Sequence, residues 1–161
     1  MEFIGLRYFN VFGPNQDPSG AYAAVIPLFA KAILMDIPPT INGDGKQSRD
    51  FTFVDNAVQA NIKALFTKNK EAINQVYNIA CGEQITIKEM FDYLAKVSNS
   101  DLKAIYGPDR IGDVKHSLAD ISKAKKLLGY EPSVNVRDGL VKVFSWYADR
   151  FFHGKNDSRY V

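Results

Sequence analysis

The segment that most constrains how this chain can fold is its opening run, Phe3-Ile4-Gly5-Leu6-Arg7-Tyr8-Phe9, closed by Asn10-Val11-Phe12-Gly13-Pro14. A short, nearly continuous apolar run ending on turn formers predicts a buried strand. The segments that follow alternate helix and strand signals, and that alternation predicts a parallel sheet covered by helices. A parallel sheet needs neighbours, and the later strand signals are few. The remaining strands are therefore expected upstream of residue 1.

Residues 15–20 carry Asn, Asp, Pro, Ser and Gly and read as a loop. A helix is predicted over 26–35, with Pro27 in its first turn and Pro38-Pro39 ending the segment. Thr40-Ile41-Asn42 reads as a short extended piece and Asn42-Gly43-Asp44-Gly45 as a tight turn. A strand is predicted over 51–54. Asp55 is placed to cap a helix whose Val58, Ile62, Leu65 and Phe66 share one face. A second buried strand is predicted over 76–80. Thr86 and Glu89 form a Thr-x-x-Glu capping box before a helix expected to bury Met90, Phe91, Leu94 and Val97. A strand is predicted over 103–106. A short helix starts at Asp120 and stops at Gly129, with Pro132 beyond. Val136, Leu140, Phe144, Tyr147 and Phe151 mark the last helix, and 148–161 is expected to be a flexible tail.

Composition excludes several classes. Twenty basic and eighteen acidic residues leave a formal charge of +2, which does not suggest a nucleic-acid partner. Lys123, Lys125 and Lys126 read as a solvated helix face. No stretch approaches the ~20 apolar residues of a membrane span, and Met1-Glu2-Phe3-Ile4 does not open a signal peptide. One cysteine, Cys81, rules out an internal disulfide and fits a cytoplasmic location. His116, His153 and Cys81 show no metal-ligand spacing, so no metal is expected.

Three places could carry binding chemistry. Asn10 ends a strand, and open α/β sheets bind ligands at that edge; its amide could hold a phosphate or sugar oxygen, or it could simply close the turn on backbone. Arg49, in Ser48-Arg49-Asp50-Phe51, could fork two N–H groups onto a phosphate, or make a weak surface ion pair. Arg110 and Asp113, across Gly112, could clasp a phosphate and a ribose diol, or bridge each other in a polar loop.

Taken in order, these motifs resemble one family. Leu6-Arg7-Tyr8-Phe9-Asn10-Val11-Phe12-Gly13-Pro14, Asn42-Gly43-Asp44-Gly45 with Ser48-Arg49-Asp50-Phe51, Arg110-x-Gly112-Asp113, and Leu127-Leu128-Gly129-Tyr130-Glu131-Pro132 are similar to the extended short-chain dehydrogenase/reductases that act on nucleotide sugars. Asn15 to Pro27 and Gly112 to Asp120 are most similar to the UDP-N-acetylglucosamine 4-epimerases.

The resemblance implies a fold class of α/β: the carboxy-terminal part of a Rossmann-type NAD-binding fold plus a small mixed α/β substrate-binding lobe. Residues 1–161 would form a single substrate-binding portion. Asn10, Arg49 and Arg110 would hold the diphosphate of a UDP-sugar, and Asp113 the ribose. Backbone at Ala24, Val25, Thr40 and Ile41 would cradle the uridine. Gln16 and Ser117 would line the sugar pocket, and Tyr8 would lie near the nicotinamide of NAD. The parent would be a homodimeric isomerase of polysaccharide biosynthesis. A UDP-glucuronate decarboxylase or a nucleotide-sugar 4,6-dehydratase would keep the same anchors, as would a non-catalytic nucleotide-sugar-binding module.

The chain departs from the family in one respect. It contains no Gly-x-x-Gly-x-x-Gly turn for NAD, and no Tyr is followed four residues later by Lys. No catalytic residue is assigned here, and the chain alone is expected to be inactive.

Overall fold

The computed structural model describes residues 1–17, 24–110, 112 and 114–153. In chain order the elements are β1 (Ile4–Tyr8), β2 (Val11–Phe12), α1 (Val25–Met35), β3 (Thr40–Asn42), β4 (Ser48–Arg49), β5 (Thr52–Phe53), α2 (Val54–Leu65), a 3-10 turn (Lys70–Ala72), β6 (Gln75–Ile79), β7 (Ile85–Thr86), α3 (Ile87–Val97), β8 (Ile105–Gly107), α4 (Ser122–Leu128) and α5 (Val136–His153). The chain is mixed α/β. The pairs β1–β6, β2–β5 and β3–β8 are all parallel. Two compact units result, one from 1–12, 49–85 and 116–136, the other from 13–48, 86–115 and 137–161.

The first unit is built on β1 and β6, in register from Ile4↔Gln75 to Tyr8↔Ile79. The strands approach closely at Gly5, where an added Cβ would sit 3.2 Å from a Val76 methyl. Helices α2 and α4 pack on this pair. Ala60, Tyr77, Ile79, Ala80, Ile121, Ala124, Leu128 and Tyr130 form the core between them, with Leu6 and Phe9 partly buried against it. Gly129 takes φ +62 and ends α4, as its position after the last helical turn requires. Lys125 and Lys126 are exposed, while Lys123 donates to Gln75 and to the Val76 carbonyl.

Helix α2 differs from its sequence pattern. Asp55 is not the cap; Phe53 holds that position, and Asp55 sits in the first turn, where the helix dipole favours a carboxylate. The buried face is Asn56, Ala57 and Ala60. Val58, Ile62, Leu65 and Phe66 do share a face, but it is exposed, at 50, 53, 77 and 72%. Small residues let the helix lie close to β1, and the large apolar stripe turns away. A cleft of about 510 Å³ lies beside it, lined by Phe3, Ile4, Leu6, Ile62 and Leu65 among others.

The second unit contains α1, α3, the β3–β8 pair and most of α5. Phe29 of α1 meets Phe91 of α3 edge to face at 5.2 Å. Ile26, Ala30, Met90, Leu94, Leu140 and Val143 are fully buried. Asp36 ends α1 in the left-handed region, before Pro38-Pro39. Both halves of the Thr86–Glu89 capping box form. Val97, expected in the core, is exposed, because it closes the last turn of α3. Helix α5 continues to His153, so the expected tail is helical from 148 to 153, where Phe151 still packs half-buried. Residues 154–161 lie outside the described residues.

Among the described residues no helix is long and apolar enough to cross a membrane.

Candidate functional site

In the first unit the candidate residues gather at the carboxyl end of β1. Tyr8 ends the strand, and its hydroxyl donates to Asn61 Oδ1 at 3.0 Å. Two residues on, Asn10 adopts φ +38, a conformation Asn tolerates better than most side chains. Its Nδ2 donates to the Asp50 carbonyl at 2.8 Å, and its own carbonyl accepts from Thr52 N at 3.2 Å. Thr52 Oγ1 donates to the Phe9 carbonyl at 2.7 Å. One amide hydrogen of Asn10 is thus committed to backbone, as a turn-closing residue requires. Among the described residues its second amide hydrogen and Oδ1 have no hydrogen-bond partner, and the residue is exposed. Turn closure and ligand contact are therefore compatible in the same side chain.

Arg49 is half-buried on β4, one residue before Asp50. Asp50 is wholly buried, and its carboxylate accepts three backbone hydrogen bonds. Its Oδ1 accepts from Cys81 N at 3.0 Å, and its Oδ2 from Gly82 N at 3.0 Å and Ala119 N at 3.4 Å. Burial raises its pKa, the three amides oppose that, and the Glu83 charge adds to it. Ser117 is half-buried, two residues before Ala119 on the same segment. Asn10 is thus bonded to the backbone carbonyl of Asp50, Arg49 precedes Asp50 in the chain, and Ser117 stands two residues before Ala119, whose N–H the Asp50 carboxylate accepts.

Two further groups hold this framework. Asn56, fully buried, donates to the Val134 carbonyl at 2.7 Å and accepts from Ser133 N at 2.9 Å and Val134 N at 3.1 Å. Tyr130 OH donates to the Ala80 carbonyl at 2.8 Å, and burial pushes its pKa upward. The Cys81 thiol is pushed up to about 11 by burial and then by the Asp50 and Glu83 charges, so it is protonated and poorly nucleophilic near neutrality. Asp50 and Asn56 had no assigned role in the sequence reading. Asp50 stands in the quoted Arg-Asp-Phe motif, but nothing local separates a buried acceptor from an exposed acid.

The second unit holds the remaining candidates. The Gln16 carbonyl accepts from the Tyr147 hydroxyl, while among the described residues its buried side-chain Oε1 has no hydrogen-bond partner. Ala24 is the N-cap of α1 and Val25 its first residue. Thr40 is exposed and Ile41 buried on β3, which pairs with β8. Gly43 and Gly45, at φ +69 and +73, make the tight turn that follows. Arg110 is exposed beyond β8. Asp113 lies outside the described residues.

Neither described unit shows an NAD cradle. The longer helices with assigned caps follow Ala24, Phe53 and Thr86, not a glycine-rich turn. Among the described residues no cluster of three His, Cys, Asp or Glu could hold a metal. The apolar cleft beside α2 is lined by none of the candidate residues.

Residues 1–80 match the model of the family described as NAD dependent epimerase/dehydratase. The chain is 37% identical over 146 residues to a putative UDP-glucose 4-epimerase of Methanocaldococcus jannaschii, covering 91% of this chain and 46% of that protein. It resembles the structure of the UDP-N-acetylglucosamine 4-epimerase of Methanobrevibacter ruminantium in complex with UDP-N-acetylmuramic acid, at 40% identity and TM-score 0.86, covering 93% of this chain and 47% of that one. It also resembles the UDP-glucose 4-epimerase of Thermotoga maritima with UDP-glucose, at 37% identity and TM-score 0.85, covering 91% and 46%. The chain spans about half the length of the curated relatives it matches.

Proposed function

The chain belongs to the NAD dependent epimerase/dehydratase family, and from that premise we propose that residues 1–161 are the substrate-gripping portion of a UDP-sugar 4-epimerase. The observation that carries this reading is Asn10. It stands just past the carboxyl end of a parallel strand, locked by one amide hydrogen bond, on a residue that is exposed. In the proposed site Asn10, Arg49 and Arg110 hold the diphosphate and Asp113 the ribose. Backbone at Ala24, Val25, Thr40 and Ile41 receives the uridine, Gln16 and Ser117 the sugar. Tyr8 borders the nicotinamide. Such contacts lie away from the reacting C4, so their binding energy positions the sugar rather than reacts with it.

NAD in the whole protein would supply hydride chemistry at C4. The described residues lack a cradle for its diphosphate, and no Tyr-x-x-x-Lys pair stands in the chain, so no reaction step is assigned here. UDP-N-acetylglucosamine is the proposed substrate, within polysaccharide biosynthesis, in a cytoplasmic, homodimeric parent.

Titration calorimetry with UDP tests the reading. Wild type is expected to bind UDP and Arg110→Ala to bind at least about tenfold more weakly, as loss of a charge-assisted phosphate contact implies. Equal binding by both, or none by wild type, overturns it.

A further inference from the structure

Asp50 is an unusual choice for a wholly buried position. Among the described residues it has no cationic partner; its only acceptor contacts are the backbone N–H groups of Cys81, Gly82 and Ala119. Burying an unpaired carboxylate is costly unless hydrogen bonds replace its water. Here they come from two separated segments, the turn after β6 and the strand of chain leading to α4. The same residue's carbonyl receives the Asn10 amide. Three stretches of chain therefore converge on one residue, and two of them carry or lie near a proposed ligand contact, Asn10 on one and Ser117 two residues before Ala119 on another, while Arg49 adjoins Asp50 itself. Arg49 is the last residue of β4 and is bonded directly to Asp50, so anchoring Asp50 also restrains the end of the strand from which Arg49 projects.

We propose that Asp50 is the positioning residue of the diphosphate site: it touches no ligand, and its buried carboxylate sets the places of Asn10 and Arg49. This rests on the reading of those two residues as diphosphate contacts. A neutral amide in its place would turn one or two N–H donors toward the three backbone donors, and the convergence would loosen. The role is indirect, so its energetic signature is coupling: removing Asp50 matters only while the groups it positions are present.

The test is a double-mutant cycle in the full chain, read by UDP affinity, with folding checked by circular dichroism. Asp50→Asn is expected to weaken UDP binding at least about tenfold. In an Arg49→Ala, Asn10→Ala background the same substitution is expected to change affinity by no more than about twofold. If Asp50→Asn unfolds the chain, amide NMR of wild type during UDP titration replaces it. The Cys81, Gly82 and Ala119 signals should then shift with the same affinity as the Asn10 side-chain amide. A folded Asp50→Asn that binds UDP like wild type, losses that simply multiply in the cycle, or silent Cys81, Gly82 and Ala119 amides while Asn10 responds would each overturn the positioning role and leave the UDP reading standing. Wild type that does not bind UDP at all overturns both.

Discussion

A carboxylate buried without a cation titrates against the cost of its own burial, and Asp50 makes that cost measurable. Burial raises its pKa more than the Cys81, Ala119 and Gly82 amides lower it, and Glu83 pushes the same way. The folded value therefore lies above the ~3.9 of an unfolded chain. A group of this kind binds its proton more tightly in the folded state. Its contribution to stability is fullest below the unfolded value and is lost as pH rises through the raised one. Following the Cys81, Gly82 and Ala119 amide protons through a pH titration should give a shared inflection above ~3.9. An inflection below it would mean that the amides outweigh burial.

At the scale of elements, α2 separates what a pattern can and cannot say. Asn56→Ala should cost about 2–4 kcal/mol, because it strands the Ser133 and Val134 N–H groups and the Val134 carbonyl. Ile62→Lys, on the exposed stripe, should change stability by no more than about 0.5 kcal/mol. Chemical denaturation of both variants checks the pair, and the opposite ranking would mean that the apolar stripe is the buried face. Periodicity located this helix and the face that its large apolar residues share, but it does not say which face is buried, and the sheet admitted Asn56, Ala57 and Ala60. The other elements were more legible. The capping box at Thr86 and Glu89, the Gly129 stop and the Pro38-Pro39 break are local chemistry, and each stands where it was read. Parallel pairing followed from alternation, but which strands pair did not. The site divides the same way. Asn10 was visible as a strand-ending amide, whereas Asp50 and Asn56 owe their roles to partners 25 to 78 positions away, which no local spacing records.

For the molecule as a whole, the prediction is chemical silence. Incubated with NAD and UDP-N-acetylglucosamine, this chain should form no C4 epimer detectable by NMR, since it holds no Tyr-x-x-x-Lys pair and no described cradle for NAD. Appearance of the epimer would overturn the assignment of chemistry elsewhere. The three parallel pairs β1–β6, β2–β5 and β3–β8 carry a separate consequence, for how the chain reaches its fold. Ile4 meets Gln75, Val11 meets Thr52 and Thr40 meets Ile105, so no registered strand pair closes a loop of fewer than about forty residues. None of these pairs is a hairpin, so long loops must close before their sheet bonds form, and high contact order of this kind places refolding in the range of about milliseconds to seconds.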